Sequence, residues 1–177
     1  KAAVLAKKLK RENLQTQLDS LKKQVNPHFL FNSLNSLSSL ISEDPAQAEI
    51  FLDELSKVYR YLLRNSEDDL TTLTAELQFI QSYYHLLKTR YGDSLLLHTI
   101  VEDQYLDHLL PPLTLQMLVE NAVKHNRMMK ESPLQIVLKT SGGKLIICNN
   151  LQRKVRQVSS NRIGLSNIAK KYKLLQQ

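Results

Sequence analysis

Residues 24–35 read Q-V-N-P-H-F-L-F-N-S-L-N, and this stretch decides the fold because it places a histidine directly after a proline inside an amphipathic helical pattern. Proline lacks an N–H group and clashes with the carbonyl group four residues earlier, so we expect Pro27 to bend the helix. His28, Asn32 and Asn35 recur at spacings of four and three, which places an imidazole beside two amides. The apolar positions predict an inner stripe on another face: Phe29, Leu30, Leu34, Leu37 and Ile41.

This pattern leaves two interpretations of His28 open. In the first, the imidazole is partly buried and is satisfied by hydrogen bonds to the neighbouring amides. In the second, the imidazole is a nucleophile that accepts a chemical group. The stretch around the histidine does not distinguish between these interpretations by itself.

A second segment, residues 111–126, reads P-P-L-T-L-Q-M-L-V-E-N-A-V-K-H-N and predicts a helix that starts at two prolines. Its far end places oxygen ligands beside a cation within about one and a half turns, at Glu120, Asn121, Lys124 and His125. This combination suits a magnesium–polyphosphate complex, because hard oxygen atoms ligate the metal and an ammonium group meets a phosphate. An ordinary capped helix end is the alternative interpretation.

Together the two segments resemble the LytS-type sensor histidine kinases, a bacterial two-component family. The resemblance covers nearly the whole chain through five motifs. These are N-P-H-F-L-F-N-x-L-N at 26–35, L-S-x-V-Y-R-Y-L-L at 55–63, E-L-x-x-I-x-x-Y at 76–83, L-P-P-L-x-L-Q-x-L-V-E-N-A-V-K-H at 110–125 and I-G-L-S-N-I at 163–168. The first and fourth motifs, in this order, are highly specific.

The resemblance implies a reaction and a set of site residues. His28 is implied to be the phosphoacceptor. Asn32, one turn later, is expected either to hold the imidazole or a water or to be an ordinary amide on the helix surface, and Glu120 is expected either to act from the ATP side or to cap or orient a loop. Asn121 is implied to ligate the Mg²⁺ of bound ATP, which makes ATP and Mg²⁺ the expected nucleotide and cofactor. The other implied nucleotide contacts are Lys124, His125, Asn149, Gly164 and Leu165.

Two departures from the family pattern lead to an alternative function. Asn149 stands where relatives usually carry an aspartate that holds the adenine, and an amide oxygen accepts a weaker hydrogen bond than a carboxylate does. The segment before Gly164 ends in Arg162 and lacks the further glycines expected of the lid. The alternative is therefore a dimeric signalling scaffold, catalytically weak or inactive, that binds a response regulator.

The charge of the chain is unevenly placed. Residues 1–23 carry a net charge of +5, residues 24–123 carry −9, and residues 124–177 carry +11, which gives the total of +7. The basic C-terminal third suits a polyphosphate ligand. Direct nucleic-acid binding is not expected, because aromatic residues are only 6% of the chain and lie mostly at helical core spacing. The single cysteine, Cys148, excludes a disulfide within the chain and indicates a reducing interior.

Periodicity and turn residues predict the elements. Helices are expected over residues 2–41, from Asp44-Pro45 to residue 65, over 74–91 with Leu77, Ile80, Tyr84 and Leu87 as its apolar stripe, and over 164–176. A strand is expected over 95–101, and a β-hairpin over 134–140 and 144–149. A heptad-like seam at Leu14, Leu18, Leu21 and Val25 predicts a homodimer, because one such seam cannot bury itself.

The predicted fold class is α+β. A helical-hairpin dimerisation and phosphotransfer module is expected at residues 1–66, a connecting helix at 67–92, and an ATP-binding domain at 93–177. The resemblance implies that this domain is a Bergerat-type (GHKL) α/β sandwich lacking its last strands. It also implies an upstream membrane sensor, so that this chain would be the cytoplasmic portion of an inner- or plasma-membrane protein. The expected partner is a response regulator, often of the DNA-binding LytTR type.

Overall fold

The computed structural model describes residues 27–64 and 70–154, together with five positions nearer the C-terminus, at 166, 169–170 and 172–173. The chain divides into two compact units, Lys1–Glu67 and Asp68–Gln177, which we call the helical unit and the mixed unit. The predicted seam at residues 14–25, the bend expected before His28 and the box residues Gly164 and Leu165 all lie outside the described residues. The three functional domains proposed from the sequence stay a prediction.

The helical unit is a hairpin of helix α1 (Pro27–Glu43) and helix α2 (Pro45–Arg64). The predicted start of α2 is confirmed, because the Asp44 carboxylate accepts a hydrogen bond from the backbone N–H of Gln47 at 3.1 Å. Aspartate at the cap and proline at the first helical position satisfy the unpaired N–H groups of a helix start. A single residue therefore separates the two helices and reverses the chain.

Helix α2 supplies most of the buried core of the helical unit, at Ala48, Phe51, Leu55, Val58 and Leu62. Burial of each large apolar side chain contributes about 1.5–3 kcal/mol. The inner stripe predicted for α1 is wrong in part, since Leu34 and Ile41 are exposed whereas Ser33 is buried. The reason is geometric, because one antiparallel partner covers only one side of α1 and the apolar residues of α1 extend around more than that side.

An apolar stripe on α1 is consequently left uncovered. Phe31 is 66% exposed, Leu34 is 46% exposed and Ile41 is 59% exposed. Their spacings of three and seven place them on one face of the helix. Leu52 of α2 is also exposed. Contiguous exposed apolar side chains of this kind mark interaction surfaces in soluble proteins.

Between residues 70 and 154, the mixed unit combines two long helices with two small sheets. Strands β1 (Thr71–Thr72) and β3 (Leu109–Leu110) form an antiparallel pair. Strand β4 (Leu134–Ser141) is the centre of the second sheet, pairing parallel with β2 (Leu95–Ile100) and antiparallel with β5 (Lys144–Asn149). The two helices are α3 (Leu73–Tyr91) and α4 (Thr114–His125).

Local turn chemistry sets the ends of these elements, and the predicted strands and hairpin are confirmed. Helix α3 begins where the Thr72 hydroxyl accepts a hydrogen bond from the Ala75 N–H, and it ends at Gly92 with φ of 55°. In the β4–β5 hairpin, Gly142 and Gly143 both have positive φ, at 55° and 72°. Two successive positive values are what a tight type I′ hairpin turn requires, and glycine adopts them without strain.

The helices pack on the sheet, with α3 against α4 and β2, and α4 against β4. The fully buried side chains come from both layers and include Ile80, Leu95, Leu115, Val119, Leu134, Ile136 and Leu138. The stripe predicted for α3 is corrected, because the buried residues there include Phe79, Tyr83 and Leu86, whereas Leu77, Tyr84 and Leu87 are half-buried. Because α3 packs against α4 as well as β2, its buried face is rotated relative to the predicted stripe. None of the helices described is both long and apolar enough to cross a membrane.

Candidate functional site

His28 lies in the first turn of α1, and its side chain is exposed. The Asn32 amide, one turn later, lies 3.2 Å from the imidazole Nδ1 and 3.2 Å from Nε2. A neutral imidazole has one protonated nitrogen and one acceptor nitrogen, so the amide N–H donates to the nitrogen that lacks the proton. The structure thus brings His28 together with Asn32, one of the two amides predicted to lie beside it, while the ring remains accessible to solvent.

The N-terminus of α4 is fixed by a carboxylate from α3. Glu76, fully buried at 0% exposure, accepts hydrogen bonds from the backbone N–H groups of Leu113 at 2.7 Å and Leu115 at 2.9 Å. These N–H groups have no partner inside the helix, and a negative charge at this end also stabilises the helix dipole. Leu113 has a positive φ of 65°, an uncommon conformation for leucine that the surrounding contacts must hold in place.

A second contact joins α3 to the middle of α4. The Tyr83 hydroxyl donates a hydrogen bond to Glu120 Oε1 at 2.8 Å, and the Gln116 amide donates to the same oxygen at 3.2 Å. Tyr83 is buried, and burial raises the pKa of its hydroxyl above the ordinary value, with the neighbouring Glu120 charge raising it further. The tyrosine therefore stays a hydrogen-bond donor across the physiological pH range.

The C-terminal end of α4 is held by the segment that follows β5. Asn126 is buried, donates to the Ala122 carbonyl at 2.9 Å and accepts from the Gln152 N–H at 2.8 Å. The Lys154 ammonium donates to the carbonyls of Val123 at 3.2 Å and Lys124 at 2.9 Å. A cation bonded to the last carbonyls complements the negative end of the helix dipole.

Between these fixed ends, α4 presents the residues predicted to meet a nucleotide. Asn121 and His125 are half-buried, and Lys124 is exposed. Within residues 27–64 and 70–154, no hydrogen bond or ion pair occupies the side chains of these three residues. An amide oxygen and an ammonium group one turn apart provide the ligand types that a magnesium-bound phosphate takes. In the same part of the chain, no cluster of three or more His, Cys, Asp or Glu side chains could hold a metal.

Two adjacent asparagines lie at and just after the end of β5 and differ in their contacts. Asn150 uses both side-chain atoms, accepting from the Gln135 N–H at 2.8 Å and donating to the Pro133 carbonyl at 3.0 Å. Asn149 is exposed, and among the described residues its side chain only donates, to the Asn150 carbonyl at 2.6 Å. The acceptor oxygen of Asn149 is therefore the one available to a ligand, as its predicted role requires.

Glu76 and Tyr83 were assigned no role from the sequence, although both belong to the motif at residues 76–83. Their function as anchors of α4 depends on residues 37 positions later in the chain. The sequence signal for Glu76 is an acidic residue at an apolar position of a predicted helix. A second helix start, marked by two prolines at 111–112, follows later in the chain. Such an acid requires N–H donors, and a helix start provides them.

Comparisons with known proteins agree with the resemblance. Residues 16–95 match the histidine kinase family, so the chain contains a histidine kinase region. Sensor protein LytS of Staphylococcus epidermidis is 39% identical over 109 residues, covering 62% of this chain and 18% of that protein. Sensor histidine kinase/phosphatase LytS of Staphylococcus aureus strain Mu50 is 41% identical over 109 residues, covering 62% of this chain and 19% of that protein. The matched part of the chain is a LytS-type sensor histidine kinase region, and the chain spans about a fifth of the length of these curated relatives.

Proposed function

We propose that this chain binds ATP and transfers the γ-phosphoryl group to His28, from which it passes to an aspartate of a response regulator. The observation that carries the proposal is the exposure of His28. Only two histidines, His28 and His85, lie within the residues that match the family, and His85 is half-buried on α3. A phosphoacceptor must be reached by a nucleotide bound elsewhere, and the exposed imidazole meets this requirement.

In the proposed reaction, an unprotonated nitrogen of His28 attacks the γ-phosphorus. A nitrogen–phosphorus bond forms as the bond between the γ-phosphorus and the β-phosphate oxygen breaks, ADP leaves, and the other ring nitrogen releases its proton to solvent. Before the attack, Asn32 orients the imidazole through the hydrogen bond described above, and this bond must open so that the same nitrogen can react. Phosphoryl transfer depends mostly on positioning and charge neutralisation, so few protein side chains are needed at the reacting atoms.

The nucleotide would be held by α4, whose side chains fit a phosphate ligand. Asn121 offers an amide oxygen, and Lys124 offers a positive charge one turn later. His125 adds a donor at the same end, and Asn149 offers its acceptor oxygen to the adenine amino group. Magnesium bound with the ATP would neutralise negative charge on the phosphates. The packing of α3 and α4 on the sheet β2-β4-β5 supports assignment of the mixed unit to the Bergerat-type (GHKL) sandwich.

The second candidate function is a dimeric scaffold that binds a response regulator without turning over ATP. The neutral Asn149 in place of an acid favours it. Titration with ATP, with and without Mg²⁺, followed by incubation with γ-labelled ATP separates the two functions. Magnesium-dependent affinity and a label that is acid-labile and base-stable would establish the kinase, whereas absence of both would favour the scaffold.

The partners and location follow from the family. We propose a response regulator, often of the LytTR type, as the phosphoryl acceptor. We also propose that the chain is the cytoplasmic portion of a larger membrane sensor, which its coverage of about a fifth of its LytS relatives supports.

Replacing Asn149 with aspartate should tighten ATP binding about fivefold, or about 1 kcal/mol. A carboxylate accepts a stronger hydrogen bond than an amide does, and desolvation offsets part of this gain. Asn149 is exposed, so the carboxylate can rotate away from the Asn150 carbonyl. Calorimetric titration with a non-hydrolysable ATP analogue measures the change.

Asn150→Asp is the matched control for this substitution. Its new carboxylate would face the Pro133 carbonyl that the Asn150 amide now donates to. We therefore expect Asn150→Asp to lower the melting temperature of the chain and not to increase its affinity for the nucleotide. Equal affinity gains in both variants would show that added negative charge, not an adenine contact, causes the effect.

The exposed stripe of α1 predicts a homodimer, in which two hairpins form a four-helix core. Leu34→Glu should raise the dimer dissociation constant by at least about 100-fold, because each of two copies loses about 1.5–3 kcal/mol of apolar burial. Sedimentation equilibrium at micromolar concentration measures this.

Ser39→Glu is the control, since Ser39 is exposed and lies on a different face of α1. We expect it to leave the dimer intact. A wild-type chain that is monomeric and still forms both helices of the helical unit would contradict the four-helix arrangement.

A further inference from the structure

We propose that helix α3 positions the nucleotide-binding helix α4 through Glu76 and Tyr83, and that Glu120 is a positioning residue in this contact. The proposal rests on the proposed function of α4. It differs from the interpretation in which Glu120 acts from the ATP side during phosphoryl transfer.

The first point of attachment is the start of α4. Both carboxylate oxygens of Glu76 are used, one on the Leu113 N–H and the other on the Leu115 N–H. Hydrogen bonds with a charged partner are shorter and stronger than neutral ones, and this carboxylate is shielded from water. The bonds also hold Leu113 in its left-handed conformation. Glu76 therefore fixes where α4 begins.

The second point of attachment is the Tyr83–Glu120 bond. Seven residues separate Glu76 from Tyr83, which places them two turns apart on one face of α3. The partner lies 37 residues later in the sequence for both the Glu76–Leu113 and the Tyr83–Glu120 bonds. The two helices therefore run side by side in the same direction with a constant register. Two bonds at different heights prevent α4 from sliding or rotating against α3.

The orientation of the nucleotide contacts follows from this register. Asn121 is the residue next to Glu120, so its direction around the helix axis is fixed at about 100° from the Tyr83 contact. Lys124 lies one turn beyond Glu120 on the same helix. A rotation of α4 would turn both side chains away from a bound nucleotide. Tyr83 thus acts on nucleotide affinity through α4 without touching the ligand.

The contacts of Glu120 also support a positioning role. Its Oε1 atom accepts two hydrogen bonds, from Tyr83 and from Gln116. One of these donors is a buried tyrosine whose pKa is raised by burial. A general base needs an oxygen directed at the proton that it abstracts. The Oε1 atom of Glu120 is directed instead at Tyr83 on α3 and at Gln116 on α4.

Tyr83→Phe tests the proposal, because it removes one hydroxyl group and keeps the ring that stacks on Phe79 at a centroid distance of 6.2 Å. We expect the KM for ATP to rise about tenfold, with the maximal labelling rate within about threefold of wild type. Tyr84→Phe is the matched control. The Tyr84 hydroxyl donates to the Leu95 carbonyl of β2 at 3.1 Å, so its loss should leave the KM unchanged.

Glu120→Gln separates positioning from acid–base chemistry. If Glu120 is a positioning residue, the variant should have a raised KM for ATP, a maximal rate within about threefold of wild type and an unaltered pH profile. A group that transfers a proton predicts a loss of maximal rate of about 10²–10⁴-fold, and this result would overturn the proposal. An unchanged KM in Tyr83→Phe would overturn it as well.

Hydrogen exchange of the nucleotide-free chain gives a readout that is independent of kinase activity. Tyr83→Phe should raise exchange at amides of residues 114–125 relative to wild type and to Tyr84→Phe. If wild-type chain neither binds ATP nor becomes labelled, the proposed function fails. The exchange rates still decide whether α3 holds α4, and equal exchange in all three proteins would refute the positioning role.

Discussion

Replacing His28 with glutamine should abolish transfer of label from γ-labelled ATP to the chain. An amide nitrogen is not a nucleophile at neutral pH, so the variant lacks the atom that accepts the phosphoryl group. His28 is exposed on α1, and the substitution preserves helix propensity, so we expect the fold to be retained. Nucleotide affinity should be nearly unchanged, because the predicted nucleotide contacts belong to the other unit.

The control for this experiment is His85→Gln, the other histidine in the family-matching segment. It should retain labelling, since His85 is half-buried on α3. Labelling of the His28 variant at the wild-type level would rule out His28 as the acceptor. Loss of label in the His85 variant alone would move the acceptor site to α3.

The second large effect is expected at Asn121. Asn121→Ala should weaken magnesium-dependent ATP binding at least about 100-fold, which corresponds to about 2.8 kcal/mol. A methyl group offers no oxygen to a hard cation. Among the described residues, no cluster of three or more His, Cys, Asp or Glu side chains could hold the metal instead. Calorimetric titration of ATP with and without Mg²⁺ measures the loss.

Asn126→Ala is the control that distinguishes loss of a metal ligand from destabilisation of the C-terminal end of α4. Asn126 is buried and bonds Ala122 and Gln152, so its removal should destabilise the chain by about 1–3 kcal/mol. Below its melting temperature, this variant should still bind ATP in a magnesium-dependent manner. If Asn121→Ala binds ATP and magnesium as the wild-type chain does, the metal site lies elsewhere.

The ends of most described elements could be predicted from the sequence, because short-range chemistry sets them. Asp44 and Pro45 start α2, Gly92 ends α3, and Gly142-Gly143 forms the hairpin turn. Each of these residues acts on backbone groups within a few positions along the chain. The order and spacing of the histidine and asparagine motifs likewise identified the family, since they depend on residue identity alone.

The buried face of each helix was predicted less well. Leu34 and Ile41 were expected inside and are exposed, while the core of α3 is shifted toward Phe79 and Tyr83. Apolar periodicity shows that a helix has a face to bury but does not show how many neighbours will cover it. The number and position of those neighbours are tertiary properties.

The sequence by itself determined the class of this protein, the boundaries of most described elements and the pairing of His28 with Asn32, because all three depend on local residue identity and spacing. Only the tertiary structure decided that Glu76 and Tyr83 hold α4. Those bonds join residues 37 or more positions apart, and partner choice at that distance depends on how α3 and α4 pack on a common sheet. A buried carboxylate requires hydrogen-bond donors. Which N–H groups become those donors is determined only when the chain folds.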